Sequence, residues 1–189
     1  MRSERAPSSH ASRFLYVGPL SEKKGLNTLL NAFTKVRDRL PVSRLVLVGG
    51  GTLLKALQAQ ARALGVAHTL EFTGGMGQAE LVEQYLQATC LVLPCRSNEA
   101  LHYGCSVVVS DYCGCLPELV VDGVTGFGFT AGDADELAEK LFRLTHELAD
   151  AEPVAERCLE VISNFTPEVS ARQIRSGCRA TTEIPAMTT

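Results

Sequence analysis

Residues 13–51 decide the fold. They read Arg13-Phe-Leu-Tyr-Val-Gly18, then Pro19-Leu-Ser-Glu-Lys-Lys24-Gly25, then a stretch with Leu26, Leu29, Leu30, Phe33, Val36 and Leu40, then Ser43-Arg-Leu-Val-Leu-Val48-Gly49-Gly50-Gly51. The first run is a short apolar stretch ended by glycine, the signature of a buried strand and a turn. The leucines recur at helical spacing, so residues 25–39 form an amphipathic helix, stopped by Pro41. The third run is a second buried strand. Strand, helix and strand in this order make a parallel unit covered by its own helix.

The same alternation continues. Leu53, Leu54, Leu57, Ala61 and Leu64 mark a second helix, with Gly65 placed at its C-terminus. Strands are expected at Thr69–Thr73, Cys90–Pro94, Ser106–Ser110 and Gly126–Thr130. Helices are expected at Gln78–Ala88, briefly at Glu99–Tyr103, and from Asp133 to about Leu148. Asp133 followed by Glu136 is a capping-box pattern. The strands are apolar on both faces, as strands covered on both sides must be. This is an α/β fold, a doubly wound parallel sheet of about six strands with helices on both faces. Residues 1–12 read as a disordered start, 13–150 as the Rossmann-like domain, 151–180 as C-terminal helices and 181–189 as a frayed tail.

Composition bounds the function. The 189 residues are 46% apolar and 21% charged, which excludes a wholly disordered chain. Eighteen basic against 21 acidic residues, a net charge of −3, exclude a strongly basic nucleic-acid coat, and no nucleic-acid partner is expected. The apolar runs are far shorter than the roughly 20 residues of a membrane span. The first residues lack the apolar core of a signal peptide. A cytoplasmic address is therefore expected, with peripheral membrane contact left open. The seven cysteines are odd in number, and several lie in apolar runs, so they read as small buried hydrophobes rather than a disulfide frame.

Ligands of such sheets bind where strand C-termini feed helix N-termini. Three glycine-bearing loops stand there. The loop Gly18–Gly25 offers helix-start amides with Lys23 and Lys24, which suit a phosphate; the bland alternative is a solvated charged turn. Gly49-Gly50-Gly51 permits close backbone approach, to a ligand or to another loop. It is not a dinucleotide fingerprint, and no acidic residue follows the second strand where such a site wants one, which argues against a nicotinamide dehydrogenase. Gly74-Gly75-Met76-Gly77 could line a base pocket or simply turn. A fourth region, Pro94 to Glu118, is the densest in polar residues. Glu99 there suits a helix N-terminus or a ribose. Arg96 and His102 read first as surface or packing residues, Asp111 as a turn cap, and Asp122-Gly123 as a turn.

Taken together, these pieces carry a resemblance. Val17-Gly18, Lys24-Gly25, Leu47-Val48-Gly49, Phe72-x-Gly74, Glu99-Ala-Leu-x-x-Gly104-x-x-Val107-Val108-x-Ser110, Gly114-x-x-Pro117-Glu118-Leu-Val120 and Asp122-Gly-x-Thr-Gly126-Phe127 stand in one order. The stretch 13–148 resembles the C-terminal, donor-binding half of retaining GT-B glycosyltransferases of family four. The tail from Phe165 resembles the closing helix of such enzymes.

The resemblance implies transfer of a hexose from a nucleoside diphosphate sugar to an acceptor, with no cofactor and no metal. It implies that Lys24 grips the diphosphate, Glu99 holds the ribose and Gly74 to Met76 lie near the base. The implied donor-binding set is Gly18, Lys24, Gly25, Gly49, Gly74, Gly75, Met76, Glu99 and Glu118; no catalytic residue is assigned. Three features depart from the family. Pro19 stands where an arginine is common. The paired glutamates are represented by Glu99 alone, with Leu91 and Val107 where a partner would fall. The connection between Pro94 and Ser106 is near the lower limit of about 10–12 residues for such a crossover, so its helix is expected to be short and strained. An N-terminal acceptor-binding half before residue 13 is also expected to be missing. Two alternatives stand beside a transferase domain: a non-catalytic nucleotide-binding module, or half of a split transferase completed by another chain. A zinc site on Cys95, Cys105, Cys113 and Cys115 is a weaker third, because Cys113-Gly-Cys115 is too tight for a zinc knuckle.

Overall fold

A computed structural model describes residues 12–94, 105–112, 120–148, 156–158 and 160–161. Six strands, β1 (Arg13–Val17), β2 (Arg44–Val48), β3 (Leu70–Gly74), β4 (Cys90–Leu93), β5 (Val107–Ser110) and β6 (Gly126–Phe129), form one sheet. The order is β3-β2-β1-β4-β5-β6 and every neighbour pair is parallel. Four helices accompany it: α1 (Leu26–Arg39), α2 (Leu54–Ala63), α3 (Gln78–Gln87) and α4 (Ala134–Glu147). These bounds lie within a residue or two of those read from the apolar pattern.

Strand order places the helices. The chain steps outward from β1 to β2 to β3, and right-handed crossovers put α1 and α2 on one face. It then returns past β1 to β4, so α3 crosses the opposite face. The α3 end is tied to the start of β1, where the Arg13 guanidinium donates to the side chains of Gln84 and Gln87. After β6, α4 comes to rest along α1. Lys35 and Arg39 on α1 pair with Asp135 and Glu139 on α4, and Arg39 lies over the Phe142 ring.

The core fills the space between sheet and helices. Phe14, Leu15, Tyr16, Leu45, Leu47, Leu91, Val92 and Val107 to Val109 are buried, as strands sealed on both faces require. Phe33 of α1 meets Phe14 edge-on, ring centroids 6.2 Å apart. Each such side chain contributes about 1.5–3 kcal/mol by leaving water. At the N-terminal edge of the sheet sit three buried thiols, Cys90, Cys105 and Cys158. Burial pushes the Cys105 thiol up to about 12 and Cys158 to about 11, so these behave as small apolar groups. Residues 156–158 and 160–161 are helical, within the C-terminal helices expected over 151–180.

The cap of α4 differs in detail from its expectation. The Asp133 carboxylate accepts from the amides of Asp135 and Glu136 at 2.9 Å, as a cap should. Glu136 does not complete a reciprocal box; its carboxylate accepts from the Thr130 amide at 2.7 Å, because Asp133 N–H already donates to the Thr130 carbonyl. The expected short helix at Glu99–Tyr103, and the expected C-terminal helices beyond residue 161, lie outside the described residues.

Candidate functional site

The sheet reverses its winding between β1 and β4, and that switch point is where a doubly wound fold opens a crevice. Three loops meet on one side of it. The Gly18 amide donates to the Val48 carbonyl and the Leu20 amide to the Gly50 carbonyl, both at 2.9 Å. The Leu53 amide donates back to Leu20, and Gly49 donates to the Gly74 carbonyl at 2.7 Å. The loops after β1, β2 and β3 are thus stitched together through main chain. The stitch explains Gly49. Its φ is 134°, and a Cβ there would overlap the Gly18 carbonyl oxygen. Tyr16, buried beneath, donates its hydroxyl to the Pro19 carbonyl at 2.9 Å and so pins the first loop from below.

Beyond Leu20 the first loop makes a 3-10 turn, Glu22–Lys24, and Gly25 then starts α1 at φ 64°. A Cβ at Gly25 would lie 2.9 Å from the Pro94 carbonyl oxygen, so only glycine lets α1 begin this close to the end of β4. The N-cap is that glycine, with no side chain to cap the helix. The first amides of α1 have no intrahelical acceptor and form the positive end of its dipole.

This helix start opens on a cleft of about 570 Å³. One wall is the loop from Ser21 to Gly25 with Thr28. The floor is Pro94, and the far wall is Tyr112, Ala131 and Gly132. Lys23 and Lys24 against Glu22 leave the near wall net positive. Asp111 fixes the far wall: its amide donates to the Phe129 carbonyl and its carboxylate accepts from the Ala131 amide, both at 2.8 Å. That is the turn-capping role expected of it. Cationic side chains and a helix N-terminus on one wall suit an anionic ligand.

The sequence-derived residues divide into three sets. Lys24 and Gly25 line the cleft. Gly18, Gly49 and Gly74 belong to the stitch, which answers the question left open for the second loop: the close approach at Gly49 is to another loop. Gly75 is exposed beside it, and Met76 packs partly against the core. Glu99 and Glu118 lie outside the described residues, as do Arg96, His102 and Gly114. Asp122-Gly123 makes the expected turn. Of the cysteines weighed for zinc, Cys105 is buried, its thiol facing the carbonyls of Ala88 and Ser106, and the other three lie outside the described residues. Sequence reasoning missed Thr28, Pro94, Tyr112, Ala131 and Gly132. Tyr112 carried a signal that went unused, an aromatic two residues after a strand at the ligand end of the sheet.

Strand order and helix placement define a domain of the Rossmann-like, doubly wound class. The family model for glycosyl transferases group 1 matches residues 2–158, and the chain belongs to that family. It is similar to the GDP-mannose-dependent alpha-(1-6)-phosphatidylinositol monomannoside mannosyltransferase of Mycolicibacterium smegmatis, 35% identical over 131 residues. That match covers 62% of this chain and 34% of the relative. It is 31% identical to a glycogen synthase of Mycobacterium tuberculosis, over 71% of this chain and 34% of the relative. The chain therefore spans about a third of the length of these curated relatives. The fold is that of solved GT-B glycosyltransferases. The lipopolysaccharide outer core galactosyltransferase WaaB in its apo form superposes with TM-score 0.77 at 19% identity, over 93% of this chain and 51% of that one. Anabaena Alr3699/HepE in complex with UDP gives TM-score 0.75 at 22% identity, over 90% and 49%. Among the described residues, no helix is long and apolar enough to cross a membrane.

Proposed function

We propose that this chain is the donor-binding domain of a retaining hexosyltransferase, and that it holds a nucleoside diphosphate sugar at the switch-point crevice. The observation that carries this reading is the junction of Lys24, Gly25 and Pro94. It sets a cation and an uncapped helix N-terminus on one cleft at the end of the central strands. A diphosphate seated there meets Lys24, with Lys23 beside it, and the α1 amides. The same groups neutralise the charge that grows on the diphosphate as the hexose leaves. The reading needs no metal ion and no cofactor. The base belongs on the stitched side, where Gly74, Gly75 and Met76 offer main-chain donors and acceptors. Glu99 and Glu118 complete the set, Glu99 on the ribose.

Transfer also requires an acceptor held against the donor. We assign that acceptor side to the part of such enzymes that this chain does not span. Titration calorimetry with UDP and GDP tests the donor site. Saturable binding is expected, weakened about tenfold or more by Lys24→Ala, since a charge-assisted contact is worth roughly 1.5–3 kcal/mol. The thermal midpoint of that variant should match the parent. A folded chain that binds neither nucleotide at millimolar concentration would overturn the reading.

A further inference from the structure

We infer that Tyr112 is the sugar-side wall of this cleft and that its ring stacks on the hexose of the donor; the inference rests on the donor reading above. Topology supplies the first argument. β1 lies at the middle of the sheet, with β3 two strands away on one side and β5 two strands away on the other. At about 4.8 Å per strand, the ends of β3 and β5 stand about 10 Å from β1 in opposite directions. A nucleoside diphosphate sugar carries its diphosphate between base and hexose. With the diphosphate at Lys24 and the base on the β3 side, the part of the cleft beside β5 is open to the hexose.

The two sides differ in chemistry. Toward β3 lie stitched glycine loops, rich in main-chain polar groups. Toward β5 lie Tyr112 and Gly132. Tyr112 is 65% exposed, whereas Tyr16 and Tyr85 are buried in the core. Its mount is fixed, because the adjoining Asp111 is bonded to both Phe129 and Ala131. An exposed aromatic side chain lining the cleft suits the C–H face of a pyranose. Gly132, with no side chain, leaves room beside it on the same wall. Ordering cost is low, since the ring has two side-chain torsions and a fixed backbone.

The test compares nucleotides with their sugars on the full chain. Calorimetry is run with UDP, UDP-glucose, GDP and GDP-mannose on the parent, Tyr112→Ala and Tyr112→Phe. Tyr112→Ala should weaken a sugar nucleotide roughly three- to tenfold, the range of one aromatic stacking contact. UDP and GDP should change by less than about twofold, and Tyr112→Phe should keep the parent affinity for the sugar nucleotide. Exposure of the side chain means the alanine variant should fold; its thermal midpoint checks this. Equal losses for nucleotide and sugar nucleotide would overturn the inference and place Tyr112 on the base or diphosphate. So would no loss for either, or a parent that takes UDP or GDP but neither sugar nucleotide; the donor reading would survive each of these. A parent that binds none of the four ligands would instead sink the donor reading and this inference with it.

Discussion

The loops leaving β1, β2 and β3 and the described residues that follow β5 and β6 share one end of one sheet, yet they meet in different ways. On the first side, backbone meets backbone. Gly18, Leu20, Gly49 and Leu53 exchange main-chain hydrogen bonds, and the glycines are there because nothing larger fits. On the second side the described contact is made by a side chain, Asp111 accepting from the Ala131 amide, and Tyr112, Ala131 and Gly132 line a cleft with Lys24. A glycine-rich loop is thus not by itself a ligand loop. Here the glycines close one half of the sheet's rim, and this leaves side chains to define the other.

The strongest way to break that comparison is to put a methyl group into the stitch. Gly49→Ala meets the Gly18 carbonyl at a φ that alanine rarely adopts, so it should destabilise by about 3 kcal/mol, read by denaturant unfolding. Gly50→Ala is the control. A Cβ at Gly50 meets nothing within 4 Å, and the change should stay within about 0.5 kcal/mol. Equal effects at the two positions would mean the stitch does not hold the rim.

A second effect probes the footing of the open half and depends on pH. Burial raises the Cys105 thiol from an ordinary 9.0 to about 12. The unfolded chain therefore loses this proton at lower pH than the folded one. The thiol's contribution is whole below pH 9 and is lost as pH rises toward 12. Denaturant unfolding across that window should show stability falling with pH, and Cys105→Ala should flatten the fall. An unchanged slope in the variant would mean that the thiol is not sealed from water.

The smallest effect sharpens the picture of the first loop. Tyr16→Phe removes the bond to the Pro19 carbonyl and should cost about 1 kcal/mol. Because that bond pins the loop that ends in Lys24, UDP affinity should fall modestly with it. A stability loss with unchanged affinity would separate the pin from the ligand wall.

Much of this was legible in the sequence. Strands and helices announce themselves through apolar runs and leucine spacing within a dozen residues, so β1 to β6 and α1 to α4 fell where the pattern put them. Lys24 and Gly25 were legible as a helix-start pair. Tyr112 was not, because its meaning depends on Lys24, Pro94 and Gly132, which come from distant parts of the chain. Gly49 was half legible: close approach was evident, but its partner was not. The reciprocal half of the α4 cap was misread for a similar reason, since Thr130 competes for Glu136 only once the turn after β6 is in place.

The sequence by itself determined the alternation of elements, their bounds and the family, because periodicity, turn residues and ordered motifs are local properties of the chain. The tertiary structure alone decided the strand order, and with it which of the described loops touch. That order follows from crossovers and hydrogen bonds between residues far apart in sequence, as when Gly18 reaches Val48 and Asp111 reaches Ala131. No local pattern encodes such meetings. They arise only when apolar faces are buried together and each main-chain group must find a partner.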